Sequence, residues 1–187
     1  SKELKKNDIF FAIKGKKNDG YDFIGEVIKK KASLVVTHKI NKRFNLKKQI
    51  KVNDTLIFLT MCSQLLRNNV NSKIIAITGS CGKTTLKDFI GKILSKFYKV
   101  YYSPKSFNNK YGVPLSLFNL NPNHKFGIFE IGMDKKGEID QLSKIIQPDV
   151  GIITNINCAH AKNFKNLKGI AEAKGEIINN IKKNGTI

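Results

Sequence analysis

Short, almost wholly apolar runs recur along this chain, separated by stretches in which apolar residues return every three or four positions. The first pattern reads as buried strand, the second as one face of a helix. Ile74–Thr78, Phe126–Ile131 and Val150–Thr154 belong to the first kind, as do strands covered on both faces. Between them, residues 84–97 place Leu86, Phe89, Ile90, Ile93, Leu94 and Phe97 on a continuous apolar face. Glu138–Ile146 and Leu167–Ile181 read as further helices, and Val100–Tyr102 as a short strand. Val113–Leu120 includes a helical turn starting at Pro114, whose fixed φ suits a first helical position. Apolar strands alternating with helices predict a parallel sheet covered by helices from Ile74 onward.

Upstream the pattern is less regular. Asp8–Lys14 reads as a strand and Gly15–Gly20 as a polar turn. Tyr21–Lys31 carries Phe23, Ile24, Val27 and Ile28 at the spacing of a helix face. Ser33–Thr37 is a second strand, with Arg43–Val52 as its prospective partner. A helix follows over Asp54–Arg67, with Leu56, Leu59, Thr60, Ser63 and Leu66 on one side and Asn53 or Asp54 as its cap. Asn68–Lys73 is a polar connector. The expected organisation is α/β throughout, with a small domain over residues 1–52 and a parallel-sheet domain over residues 53–187.

Charge adds a question. A formal net charge of +20 raises nucleic acid or an anionic membrane surface as partners. The basic residues are almost all lysine, with Arg43 and Arg67 the only arginines, and they are scattered among abundant Asn and Ile. Specific nucleic-acid surfaces enrich arginine for bidentate contacts, so the excess reads as compositional bias. No nucleic-acid partner and no membrane insertion are expected. Cys62, Cys81 and Cys158 lack the spacing of a zinc ribbon, which fits a reducing cytoplasm. Cys81 reads as loop filler.

The firmest chemistry lies at residues 79–85, Gly-Ser-Cys-Gly-Lys-Thr-Thr, between a strand and a helix. Glycines allow backbone N–H groups to approach phosphate oxygens, and the helix start adds its positive dipole end. Lys83 would reach the outer phosphates and Thr84 would ligate Mg²⁺. The strict phosphate-loop pattern places a glycine where Ile77 stands, so this loop is a shortened variant. Glu130 ends an apolar strand, where an isolated carboxylate is costly; either a metal or a nearby lysine would offset that. His160 follows the end of the next strand and, taken alone, reads as a structural or solvated histidine.

Taken together these blocks resemble the Mur ligases. Thr78–Thr85 is similar to their ATP loop, shortened glycine spacing included. Ser106-Phe107-Asn108-Asn109-Lys110-Tyr111-Gly112-Val113-Pro114 resembles the Asn-Asn…Gly-Val-Pro segment of one branch. Glu130-Ile131-Gly132-Met133 with Gly137-Glu138-Ile139, Thr154-Asn155-Ile156 with Ala159-His160, and Ala173-Lys174-Gly175-Glu176-Ile177 match further blocks in order. Asp8–Gly15 and Asp19–Ile24 resemble the family's UDP-sugar-binding domain.

The resemblance implies a small UDP-sugar-binding domain followed by a P-loop-type ATPase domain. It implies ATP bound by Gly79, Ser80, Cys81, Gly82, Lys83, Thr84 and Thr85, with Asn108 and Asn109 lining the nucleotide or substrate side. It implies Mg²⁺ held through Thr84, Glu130, His160 and a carbamylated Lys174, and Lys83, Glu130, His160 and Lys174 as the catalytic set. The implied reaction is ATP-driven amide formation in peptidoglycan precursor synthesis. A UDP-N-acetylmuramoyl-tripeptide carboxylate becomes an acyl phosphate, and the amine of D-alanyl-D-alanine displaces phosphate. A cytoplasmic monomer is expected. Lys2 stands where the family carries Arg, and the chain stops soon after Lys174. The expectation is therefore an N-terminal piece that does not complete ligation alone. A ligase for another amino acid, a folylpolyglutamate-type synthetase and a basic P-loop nucleic-acid binder are the rival readings.

Overall fold

The computed structural model describes residues 4–15, 18–157, 163–164 and 166–187. It divides into two units, Ser1–Met61 and Cys62–Ile187, each taken by itself below.

The first unit is built on a three-stranded parallel sheet of β1 (Ile9–Phe11), β2 (Leu34–Thr37) and β3 (Gln49–Lys51), in that order. α1 (Ile24–Lys29) buries Ile24 and Val27 against Ala32 and Val35. The helix expected over Tyr21–Lys31 is shorter, because its start is a 3₁₀ turn, Gly20–Phe23, capped by the Asp19 carboxylate on Tyr21 N–H. Gly20 sits there because a Cβ would meet the Ala12 backbone at 2.6 Å. The segment expected to pair with β2 does so only over Gln49–Lys51. Gln49 instead folds the preceding loop around its amide, accepting from Asn41 N–H at 2.8 Å and donating to Asn41 O at 3.0 Å.

The division between units falls within α2 (Thr55–Asn68), whose first turn is capped by Asp54 Oδ1 on the N–H groups of Leu56 and Ile57. Its buried stripe is Thr55, Leu59, Ser63 and Arg67, at every fourth position. Leu59 and Ser63 belong to the expected side, whose Leu56, Thr60 and Leu66 are half-buried, while Thr55 and Arg67 are additions to it. Polar members of that stripe are accommodated by specific bonds: Arg67 donates to the carbonyls of Ile146, Gln147 and Val70.

The second unit is a four-stranded, all-parallel sheet in the order β5-β6-β4-β7. Its strands are β4 (Lys73–Thr78), β5 (Val100–Tyr102), β6 (Phe126–Glu130) and β7 (Val150–Ile153). The helices are α3 (Lys83–Leu94), α4 (Gly112–Leu117), α5 (Glu138–Ile146) and α6 (Leu167–Gly175). The alternation of apolar strand and helix thus gives the α/β parallel-sheet fold that the sequence predicts. Ile74, Ala76, Phe129, Ile131, Ile139 and Ile146 lie in one buried cluster with Val113, Leu117 and Ile177.

Helix boundaries depart from expectation where side-chain chemistry intervenes. Leu167–Ile181 is α6 followed by a 3₁₀ turn, Glu176–Asn180. The Glu176 carboxylate accepts from Gly137 N–H at 2.8 Å and Asp140 N–H at 3.2 Å, so it caps α5 from a distance. α3 turns a different side inward than its apolar spacing implies. Phe89, Ile93 and Phe97 are exposed, whereas Lys87 and Gly91 are buried. Gly91 faces the Tyr102 ring so closely that a Cβ would lie 2.7 Å from it, and the Lys87 ammonium donates to Lys105 O.

β4 connects through α3 to β5 on one side of itself, while β7 lies on its other side, bridged at Val150 to Thr186. Connections therefore run in opposite directions from the adjacent strands β4 and β7. The carboxyl ends of such a pair form the crevice where open α/β sheets take ligands.

Candidate functional site

The loop of residues 79–82 leaves β4 into that crevice, and its shape depends on both glycines. Gly79 has φ +139° and Gly82 has φ +81°, backbone conformations that side chains oppose. A Cβ on Gly79 would stand 1.9 Å from Thr154 Oγ1. α3 then starts at Lys83 with no side-chain cap, so its first N–H groups have no acceptor within the helix. The Lys83 ammonium folds back over its own loop, donating to Gly79 O at 2.8 Å and Ser80 O at 3.3 Å.

Thr84 and Glu130, far apart in sequence, meet beside the loop. Thr84 Oγ1 donates to Glu130 Oε2 at 2.7 Å, and Asn108 Nδ2 donates to Glu130 Oε1 at 2.7 Å. Asn108 is itself held, its carbonyl accepting from Gly132 N–H at 2.7 Å. Glu130 is only 1% exposed, and no lysine or arginine among the described residues lies within ion-pair distance of it. The nearby-lysine alternative is thereby removed for those residues. A buried carboxylate holding only neutral donors has unspent capacity for a cation.

Asn109 plays a different part from Asn108. Its Oδ1 accepts from Tyr111 and Gly112 N–H, both at 3.0 Å, and so organises the start of α4. Thr85 is exposed at the first turn of α3. A cavity of about 300 Å³ opens next to Lys83, between residues 108–111 and residues 132–142, with Met133 and Leu142 as its apolar part.

Lys174 on α6 is 2% exposed, with no hydrogen-bond or ion-pair partner among the described residues. Burial, reinforced by the neighbouring Lys83 ammonium, pulls its pKa down to about 8. Cys81 also lies within electrostatic range of it, and is exposed. The structure therefore brings Gly79–Thr85, Asn108, Glu130 and Lys174 to one end of the sheet. His160 lies outside the described residues. Sequence reading placed Thr154 and Asn155 at the end of β7, in a block matched to the family, but gave them no role and passed over Asn157; all three wrap the loop from β7. The usable signal was position: they follow directly on a strand end.

Comparison with known proteins gives the same direction. Residues 77–187 match the Mur ligase middle domain. A UDP-N-acetylmuramoyl-tripeptide--D-alanyl-D-alanine ligase of Buchnera aphidicola is 40% identical over 182 residues, covering 96% of this chain and 39% of the relative. The Bacillus subtilis protein of the same name is 35% identical, covering 100% of this chain and 41% of its own length. A crystal structure of MurF from Acinetobacter baumannii superposes with a TM-score of 0.87 at 34% identity, covering 98% of this chain and 40% of that one. MurF ligase from Thermotoga maritima in complex with ADP gives a TM-score of 0.83 at 31% identity, covering 100% and 44%. The chain thus spans about two-fifths of the length of these relatives. With more than half of its residues matching the middle domain around a shortened phosphate loop, the chain belongs to the Mur ligase family.

Proposed function

We propose that this chain carries the ATP site of a ligase that joins D-alanyl-D-alanine to a UDP-N-acetylmuramoyl-tripeptide. The observation that carries the reading is the Thr84–Glu130–Asn108 cluster set against the phosphate loop, in a chain whose relatives bear that name. The Thermotoga maritima relative, bound to ADP, supports nucleotide as the ligand of the loop.

In this reading Lys83 leaves its loop carbonyls and moves to the outer phosphates, a charge-assisted contact replacing neutral ones. The free N–H groups at the start of α3 receive phosphate oxygens. The cavity beside Lys83 takes the peptide's terminal carboxylate, close to the phosphoryl group that it attacks. That step forms an acyl phosphate and releases ADP; the incoming amine then forms the amide and releases phosphate. Such transfer depends on positioning and charge neutralisation more than on covalent help from the protein.

Thr84 and Glu130 fit a magnesium ion. Thr84 Oγ1 and Glu130 Oε2 stand 2.7 Å apart beside the loop, a hydroxyl and a carboxylate oxygen of the hard kind that magnesium takes as ligands. Bound there, magnesium would neutralise charge on the transferring phosphoryl group. Lys174 fits the carbamate role, since burial and the neighbouring Lys83 ammonium hold its pKa down to about 8, so that near this pH a sizeable fraction is the neutral amine that attacks CO₂ and releases a proton. His160 joins this set by resemblance.

ATP titration of the chain against Lys83→Ala tests the reading. Loss of a charged phosphate contact predicts an affinity drop of about tenfold or more. Equal affinity in the two proteins would overturn it.

A further inference from the structure

The segment from Thr154 to Asn157, at the end of β7, has no part in the chemistry above, yet it makes the densest contacts to the phosphate loop. Asn155 O accepts from Ser80 N–H at 3.0 Å, and Asn155 Oδ1 accepts from Cys81 N–H at 3.0 Å. Thr154 Oγ1 donates to Cys81 O at 2.6 Å. Ser80 Oγ donates to Asn157 O at 2.9 Å and accepts from Asn157 N–H at 2.9 Å. Residues 80 and 81 thus have their backbone N–H groups fully engaged by a neighbouring strand end.

We propose that Asn155 is a positioning residue for the phosphate loop, strapping it to β7 and fixing which backbone N–H groups are left to meet phosphate. In a longer loop the chain wraps the anion with its own successive N–H groups. Here the glycine spacing is shortened, and the N–H groups of Ser80 and Cys81 point to Asn155 instead. Anion recognition falls to the N–H groups at the start of α3, which have no acceptor within the helix. A short loop with two glycines at positive φ would otherwise be free to flex. The strap removes that freedom before ligand arrives, so that less ordering entropy opposes binding.

Asparagine suits this place for a chemical reason. Its amide oxygen accepts from Cys81 N–H without bringing a negative charge beside the phosphates. Aspartate keeps the acceptor and adds that charge; alanine removes the acceptor. Asn155 is exposed, so its replacement leaves the buried core of the sheet untouched.

The proposal rests on the ATP reading and is tested with it. Amide hydrogen exchange at Cys81 and ATP titration would be measured on the full chain and on Asn155→Ala, Asn155→Asp and Lys83→Ala. In Asn155→Ala, Cys81 exchange should accelerate about tenfold and ATP affinity fall about fivefold, the worth of one hydrogen bond. Asn155→Asp should keep the Cys81 amide protected while losing affinity in a salt-dependent way. Wild-type affinity in Asn155→Ala, with or without faster exchange, would overturn the proposal while a weakened Lys83→Ala upheld the ATP site. Equal binding by wild type and Lys83→Ala would overturn the ATP reading and the proposal with it.

Discussion

Thr84 Oγ1 donates to Glu130 Oε2 at 2.7 Å, joining the first turn of α3 to the carboxyl end of β6. Glutamine at position 130 can keep this pattern without charge, its oxygen accepting from Asn108 and its amide donating to the Thr84 hydroxyl, which turns to accept. Glu130→Gln should therefore fold normally and bind metal-free ATP with undiminished affinity. The gain in affinity on adding magnesium should shrink by about tenfold. Titrations with and without magnesium check this; an unchanged gain would remove Glu130 from the metal site.

Lys174 gives a pH signature. Its pKa in the folded chain is about 8, against an ordinary value of 10.5, so between these values the unfolded chain holds the proton more tightly. Stability must then rise as pH goes from about 8 toward 10.5, while below about 8 the full burden of the buried charge is present. Lys174→Met should flatten that rise. Denaturant unfolding at a series of pH values measures it, and identical slopes for the two proteins would contradict the burial argument.

Much of this was legible because α/β rhythm is written in apolar spacing. β4, β6, β7 and α5 lie where the periodicity predicts, and the loop between β4 and α3 follows from its glycines. What was not legible depended on partners remote in sequence. Nothing near Asn108 announces that its amide is for Glu130, and nothing near Glu176 announces that its carboxylate caps α5. The inward side of α3 was misread for a related reason. Spacing records which residues are apolar, whereas Gly91 faces inward because Tyr102 leaves no room for a side chain, and Phe89 and Phe97 are left outside. On α2, Arg67 is buried because it serves three carbonyls that no hydrophobic residue could satisfy.

Gly79 tolerates no side chain. With φ +139° and Thr154 Oγ1 at 1.9 Å from a would-be Cβ, Gly79→Ala must displace either the loop or the end of β7. A loss of stability of about 2 kcal/mol and loss of ATP binding are expected. Gly79→Ala combined with Thr154→Ala removes the sharpest contact, that with Oγ1, but leaves the close approaches to Thr154 N at 3.0 Å and Cβ at 3.1 Å and the backbone strain, and should recover part of the stability. Thermal unfolding of both single variants and the double variant separates the side-chain contact from the backbone strain, Thr154→Ala alone measuring the loss of its bond to Cys81 O.

Arg67 is 3% exposed, and besides its carbonyl partners it lies 3.4 Å from Asp149 Oδ2. Burial lowers its pKa, and Asp149 works against that shift. Arg67→Met keeps the bulk and strips the donors, leaving the carbonyls at the end of α5 without partners. It should lower stability by about 3 kcal/mol with no direct effect on nucleotide contacts. Chemical denaturation reads the first expectation, and ATP titration under conditions where the variant stays folded reads the second.

The parallel order β5-β6-β4-β7 has a consequence for how this chain is made. β4, which carries the phosphate loop, finds both of its neighbours later in the sequence: Ile77 pairs with Glu130 and Thr78 with Ile153. As the polypeptide leaves the ribosome, β4 emerges with both edges open and waits for the strands that flank it. Pairings between such distant segments close slowly, because the entropy of the intervening loops is lost before any contact compensates it. The loop at residues 79–85 is thus early in synthesis and late in assembly. Its finished shape is a report, at a single place, that the strands on both sides have been seated.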